Sequence, residues 1–240
     1  MLDHVHNEVR ERIFRTDING VDWDAMYANY KKFLPHISNN YDFAELLSEL
    51  LGELNVSHTG GRYYAPGGGD ATASLGLLFD WNYEGDGLKV AEVVAGGPFD
   101  RASSKVKAGA VVTAVNGVRI DKDVDYTAMF NAIAGKKTLV SLSMPGAESW
   151  EEVILPISSG QMGNLLYDRW VKSREAEVDR LSGGRLGYVH IQSMSDDSFR
   201  KMYAKVLGEY IGKEGIVIDT RWNGGGRLHE DIEVMFSGKK

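Results

Sequence analysis

Three consecutive glycines, Gly224, Gly225 and Gly226, follow the β-branched run Ile216, Val217 and Ile218 in IVIDTRWNGGGRLHED, and the residues after them read as a helix. A strand that enters a helix through glycines presents unpaired backbone N–H groups. A negative oxygen lodged there gains hydrogen bonds and the favourable end of the helix dipole. Two phosphate chemistries can be tested on the spacing. A nucleotide P-loop needs Lys and then Ser or Thr directly after the last glycine, where Arg227 and Leu228 stand. A dinucleotide fingerprint needs a glycine at the position of His229 and an acidic residue about 20 residues further on, past the last residue of the chain. Two readings remain: a plain tight turn, or a cradle for the oxyanion of an acyl transfer, which backbone donors stabilise without phosphate. Arg221 and Asn223 flank the turn and read as an ion pair and a loop-shaping residue. His36, His190 and His229 show no HExxH-type spacing, so no metal site is read from them.

The rest of the composition narrows the classes. At 240 residues, 43% hydrophobic and 25% charged, the chain is long enough for one or two globular domains. Its formal charge of −7 and the absence of a dense Lys/Arg block disfavour nucleic acid and anionic membranes as partners. With no cysteine, disulfides, thiolate catalysis and Cys-ligated metal are excluded. The N-terminus MLDHVHNEVRERIF is charged from its third residue and no apolar run approaches the roughly 18 residues of a membrane span, so membrane insertion is not expected. Compartment stays open between cytoplasm and periplasm.

These groups need elements to hold them. In WDAMYANYKKFL, Trp23, Met26, Tyr27, Tyr30 and Leu34 fall at helical spacing, and YDFAELLSELLGEL repeats the pattern behind a cap at Asn40 or Asp42. The spacing predicts a helical domain over 1–65. The glycine-rich APGGGDA at 65–71 reads as a boundary. From 72 to 158, TASLGLLFDW, GLKVAEVV, GAVVTAVNGVRI, TLVSLSM and WEEVILPI read as strands, with one helix over DYTAMFNAIAG. From 159 to 240 come the helix GNLLYDRWVKSREAEVDRLSGG, the strand RLGYVHIQSM, the helix DDSFRKMYAKVLGEYIG and the strand GIVIDT. Strand, helix and strand in that order predict a right-handed crossover and a parallel pair. The fold expected is multidomain, α+β and α/β: a helical domain, a β-rich module, and the opening part of a parallel α/β domain.

The middle module resembles a PDZ domain. SLGLLF at 74–79 sits where that fold has its carboxylate-binding loop, and KAGAVVTAVNGVRI resembles its strand-turn-strand, with Ala110 where many bacterial members have Asp. The resemblance implies β-augmentation by a peptide C-terminus, its carboxylate held by the backbone amides of Leu75, Gly76 and Leu77. A PDZ-like module followed by GYVHIQSMS and IDTRWNGGG resembles the serine peptidases that include C-terminal processing proteases and tricorn protease. The helical region ending in LGELNVSHTGGRY is similar to the tricorn type specifically, which places a Ser-His pair ahead of the PDZ module. A crotonase-like α/β core is implied for 159–240.

By this resemblance His58 is the general base that takes a proton from a serine hydroxyl and passes it to the leaving amine, and Ser57 is the auxiliary serine that orients the imidazole. Gly225, with Gly224 and Gly226 as neighbours, matches the oxyanion donor. Ser193 and Ser195 match a cleft-shaping segment. Ser237 lies too close to the turn to serve, so the resemblance places the nucleophile beyond the last residue, and the chain as given is expected to lack peptidase activity. The implied reaction is amide hydrolysis through an acyl-enzyme, on peptides or unfolded protein tails, with no metal or organic cofactor. Two rival readings stand beside it. One is a non-catalytic protein that captures peptide C-termini; the other is a structural subunit whose sheet another copy completes in a homo-oligomer.

Overall fold

The computed structural model describes residues 1–67 and 70–239, and the chain divides into two compact units, Met1–Gly69 and Asp70–Lys240. The first unit is helical. Helices α1 (Leu2–Arg12), α2 (Trp23–Lys31) and α3 (Asn40–Gly52) enclose a core of Leu2, Trp23, Leu47, Leu50 and Leu54. The stripe Trp23, Met26, Tyr27, Tyr30 and Leu34 packs into that core, as its spacing predicts. Trp23 is buried with its indole N–H donating to the His6 carbonyl at 3.1 Å, which removes the cost of burying that polar group. The cap of α3 is Asn39, one residue ahead of the expected Asn40 or Asp42; its side-chain oxygen accepts from the N–H groups of Tyr41 and Asp42, both at 2.9 Å.

In the second unit, β1 (Ala73–Ser74) pairs with β8 (Ile157–Ser158), bracketing an antiparallel sheet. That sheet runs β2 (Leu77–Phe79), β3 (Leu88–Val93), β4 (Val111–Val115), β6 (Thr138–Ser143) and β7 (Trp150–Ile154), with β5 (Val118–Arg119) turned back onto β4. Alternation of buried and half-buried residues along β6 seats Thr138, Val140 and Leu142 in a core with Leu75, Leu77, Val90, Phe99 and Val112. The helix expected over DYTAMFNAIAG is only a 3-10 turn, Tyr126–Phe130. Backbone pairing wins there: Thr72 bridges Asn131 and the Ala132 N–H donates to the Ala71 carbonyl at 2.9 Å, which pulls the chain out of helical geometry.

Helix α4 (Ser159–Ser182) starts directly from β8. Ser158 and Gln161 form a reciprocal capping box, and Gly183 ends the helix in the left-handed conformation at φ 62°. Ser158→Ala removes the acceptor for the Gln161 N–H and is expected to cost about 1 kcal/mol, read as a lower urea midpoint at unchanged slope. Then come β9 (Leu186–His190), α5 (Asp196–Ala204) with a π-helical turn at Lys205–Glu209, β10 (Gly215–Asp219) and α6 (His229–Ser237). β9 and β10 are parallel, with His190 opposite Asp219. Met202, Val189, Ile191 and Tyr210 form their core. Helix α4 is tied to the antiparallel sheet by Arg169, whose guanidinium grips the Glu92 carboxylate with two 2.6 Å hydrogen bonds. No helix among the described residues is long and apolar enough to cross a membrane.

Candidate active site

Ser57 and His58 lie on the loop that leaves α3, and both side chains are exposed. The loop is pinned at two points. Asn19 donates its amide to the Leu54 carbonyl at 3.0 Å, and Ser48 both donates to the Gly61 carbonyl at 2.8 Å and accepts from the Gly61 N–H at 2.9 Å. A Cβ on Gly61 would sit 2.8 Å from the Leu47 Cβ, so this close approach of loop to helix requires glycine. Between the pins, His58 takes the left-handed backbone conformation at φ 64°, as do Asn55 at 49° and, in the bracing turn, Ile18 at 48° and Asn19 at 55°. For a β-branched residue such as Ile18 that conformation is costly, and four such residues around one loop mark a shape imposed by the surrounding packing. Among the described residues neither Ser57 nor His58 makes a side-chain hydrogen bond.

The glycine turn belongs to the second unit. It leaves β10 through Asp219, which is buried, while Gly224, Gly225 and Gly226 are exposed. Asn223 shapes it: its amide donates to the Ile191 carbonyl at 2.7 Å, and its oxygen accepts the Gly225 N–H at 2.7 Å. In this conformation the expected donor, Gly225, is therefore already engaged. The N–H groups of Gly224 and Gly226 donate to no described residue. Gly226, at φ 140°, bridges Met194, and a Cβ there would lie 2.5 Å from the Met194 Cβ and 2.6 Å from its carbonyl oxygen. Helix α6 begins only at His229, with Leu228 preceding it in helical geometry, so the glycines stand just ahead of the helix terminus.

Asp219 is the electrostatic anchor of this turn. Its carboxylate accepts the Tyr188 hydroxyl at 2.7 Å, the Arg221 backbone N–H at 3.0 Å and three hydrogen bonds from the Arg221 guanidinium at 2.5 to 3.0 Å. The guanidinium bonds hold the Asp219 carboxyl far below the usual carboxylate range, against the upward push of burial. Burial, and then the bond to Asp219, drive the Tyr188 hydroxyl up. A carboxyl depressed in the folded state contributes stability that is complete above its unfolded pKa, near the ordinary value of 3.8, and is lost as pH falls toward the folded pKa. Between about pH 4 and 2, wild type should therefore lose stability more steeply than Asp219→Asn in urea titrations. Parallel pH profiles for the two would overturn this role.

Beside the turn, Tyr167, Trp170, His190, Gln192 and Trp222 line a cavity of about 310 Å³, and the Arg221 guanidinium lies 5.6 and 5.4 Å from the ring centres of Trp170 and Trp222. Tyr188, His190 and Asp219 carry no motif and are not among the expected site residues, nor is Tyr167 on α4, for which the sequence holds no signal. The signal that could have found the first three is the paired spacing Tyr-x-His on one strand and Asp-x-Arg on the next, which sets His190 beside Asp219 once the strands are parallel. At the start of the antiparallel sheet, Leu75 and Leu77 are buried in the core. Gly76, at φ 72°, donates its N–H to the Ser74 hydroxyl at 3.1 Å and accepts from the Val94 N–H at 3.0 Å. A Cβ on Gly76 would meet the Pro98 Cδ at 2.5 Å. Ser193, Ser195 and Ser198 bond one another at 2.9 to 3.3 Å, with Ser195 capping α5. Ser237 is the last residue of α6. Among the described residues no three His, Asp or Glu side chains gather as metal ligands.

Compared with known proteins, residues 1–52 match the tricorn protease C1 domain family and residues 185–239 match peptidase family S41. The chain is 32% identical to tricorn protease homolog 1 of Streptomyces coelicolor, over 96% of this chain and 22% of that protein. It is 23% identical to the tricorn protease of Thermoplasma acidophilum, over 100% of this chain and 23% of that one. The crystal structure of the tricorn protease superposes on 97% of this chain and 23% of its own, with a TM-score of 0.78 at 21% identity, which establishes a shared mixed helix-and-sheet fold. The chain thus spans about a fifth of the length of the curated relatives it matches.

Proposed function

The chain belongs to the tricorn-like S41 peptidases, and on that premise we propose that it supplies the general base and the oxyanion turn of a serine peptidase acting on peptides or unfolded protein tails. His58 takes the proton of the attacking serine and returns it to the departing amine, with Ser57 orienting the imidazole. The serine itself is supplied from outside residues 1–240, where the family resemblance puts it. The oxyanion is met by the turn Gly224–Gly226, first by the Gly224 and Gly226 N–H groups and then by Gly225 when Asn223 turns aside. Residues 72–158 act as a PDZ-like module that receives a peptide C-terminus at the backbone amides of Leu75 and Leu77, joined by Gly76 once its N–H leaves the Ser74 hydroxyl, and residues 159–240 open a crotonase-like core that further strands complete.

The observation that carries the reading is the turn. It presents two backbone donors, at Gly224 and Gly226, that no described residue engages, just past the end of a strand and beside a glycine that no other residue can replace without collision. Such donors act on the charge that develops in the transition state, and the loss of one costs about 3 to 4 kcal/mol. The test is incubation of an unstructured peptide, with a free or amidated C-terminus, with the protein extended to the length of its relatives, followed by mass spectrometry. Cleavage favouring the free acid is expected. Absence of any cleavage would overturn the peptidase reading, and equal rates on the two peptides would remove the role given to the PDZ-like module.

A further inference from the structure

His190 lies on β9, outside the turn, yet both its ring nitrogens are committed. Nε2 faces the Arg221 carbonyl oxygen at 2.9 Å, and Nδ1 faces the Tyr167 hydroxyl at 2.8 Å. A carbonyl oxygen only accepts, so Nε2 carries the proton. In the neutral ring Nδ1 is then the acceptor, and the Tyr167 hydroxyl donates to it. The Arg221 carbonyl therefore fixes the tautomer, and Tyr167, on α4, supplies the donor that Nδ1 needs in that tautomer and orients the ring. Trp170, one helical turn from Tyr167, packs edge-on against the imidazole at 4.8 Å and keeps it in place.

The atom so held is well chosen. Residues 220–223 form the connection between the end of β10 and Gly224, and Trp222 within it sits at φ 59°. Asp219 fixes the Arg221 N–H, His190 fixes the Arg221 carbonyl, and Asn223 is fixed on the Ile191 carbonyl. Remove the middle contact and the peptide between Arg221 and Trp222 loses the partner that sets its orientation. The turn bond from the Asn223 N–H to the Thr220 carbonyl, at 3.1 Å, is then the remaining restraint on it, and motion of that peptide works on the Asn223 anchor and loosens the approach to Gly224.

We infer that His190 is a positioning residue, oriented by the Tyr167 hydroxyl, that holds the glycine turn in register through the Arg221 carbonyl. The inference rests on the reading of that turn as an oxyanion site only for its catalytic consequence; the brace itself is a matter of geometry within one unit.

The two are separated by two readouts. In the 240-residue chain, backbone order parameters for residues 221–226 are measured by ¹⁵N relaxation in wild type, His190→Ala, His190→Gln and Tyr167→Phe. Rigid values near 0.85 in wild type are expected to fall below about 0.6 in His190→Ala. His190→Gln, whose amide nitrogen occupies the place of Nε2, should restore them. Tyr167→Phe, which keeps the ring packing and removes only the donated proton, should give an intermediate fall and covers the case in which the alanine variant does not fold. Unchanged order parameters in both His190→Ala and Tyr167→Phe, or an equal fall in His190→Ala and His190→Gln, would overturn the hydrogen-bonded brace. In the protein at the length of its relatives, His190→Ala should lower kcat for peptide hydrolysis about tenfold at constant KM, with His190→Gln recovering most of it. A mobile turn with unchanged kcat would leave the brace standing and overturn the oxyanion reading instead.

Discussion

Replacing His58 with alanine is expected to lower kcat for peptide hydrolysis by about 10⁴-fold or more in the protein at the length of its relatives, because removal of the base leaves only binding and the oxyanion donors at work. Stability should hardly move. The side chain is exposed, and its loop is pinned by Asn19 and Ser48 rather than by the imidazole. His58→Asn is the better control for backbone effects, since Asn tolerates the left-handed conformation found at this position. Both variants should lose activity together while thermal midpoints stay within a few degrees of wild type. Hydrolysis that survives either substitution would show that the proton goes elsewhere.

The second large effect is expected at Gly226. A methyl group there would press on the Met194 Cβ and carbonyl, both within 2.6 Å, in a backbone conformation at φ 140° that L-residues rarely adopt. The turn must therefore move, and with it the Gly226 N–H. Gly226→Ala should cost about 10²- to 10³-fold in kcat, the penalty for losing an oxyanion donor, with KM altered much less. The neighbouring contact between the Met194 N–H and the Gly225 carbonyl, at 3.3 Å, should be lost with it, visible as faster amide exchange at Met194. Gly212→Ala, where the added methyl meets open space in a turn remote from the glycines, should stay within about twofold of wild type. Equal rates for Gly226→Ala and Gly212→Ala would remove the turn from the reaction.

Much of the scaffold was legible because it is local. The stripe on α2 is written at helical spacing, and α4 is expected in the sequence from Gly163, whereas the box of Ser158 with Gln161 starts it four residues earlier, at Ser159. The strand, three glycines and following helix could likewise be read from residues 216–231. What escaped depended on partners far along the chain. The helix expected at 125–135 shrinks to five residues because residues 71 and 72, more than fifty positions earlier, claim the backbone of Asn131 and Ala132. His190 gave no motif because its partners are a carbonyl 31 residues ahead and a hydroxyl 23 residues behind, brought together only by the register of β9 with β10 and by the seating of α4. The engagement of the Gly225 N–H by Asn223 is local, yet it depends on a side-chain rotamer that an Asn-Gly-Gly sequence leaves free.

Tyr167, Arg169 and Trp170 occupy a single turn of α4, yet two of them reach His190 and one reaches Glu92 on β3. A helix advances 100° per residue, so one residue added or deleted between Ser158 and Tyr167 would swing Arg169 away from Glu92, and carry Tyr167, Trp170 and the His190 they hold round with it relative to the antiparallel sheet. Length changes can be absorbed in the hairpin Pro145-Gly146 between β6 and β7, where glycine sits in open space. Between residues 158 and 167 the chain is a measured distance, and among sequences that keep this architecture that stretch should vary in composition long before it varies in length.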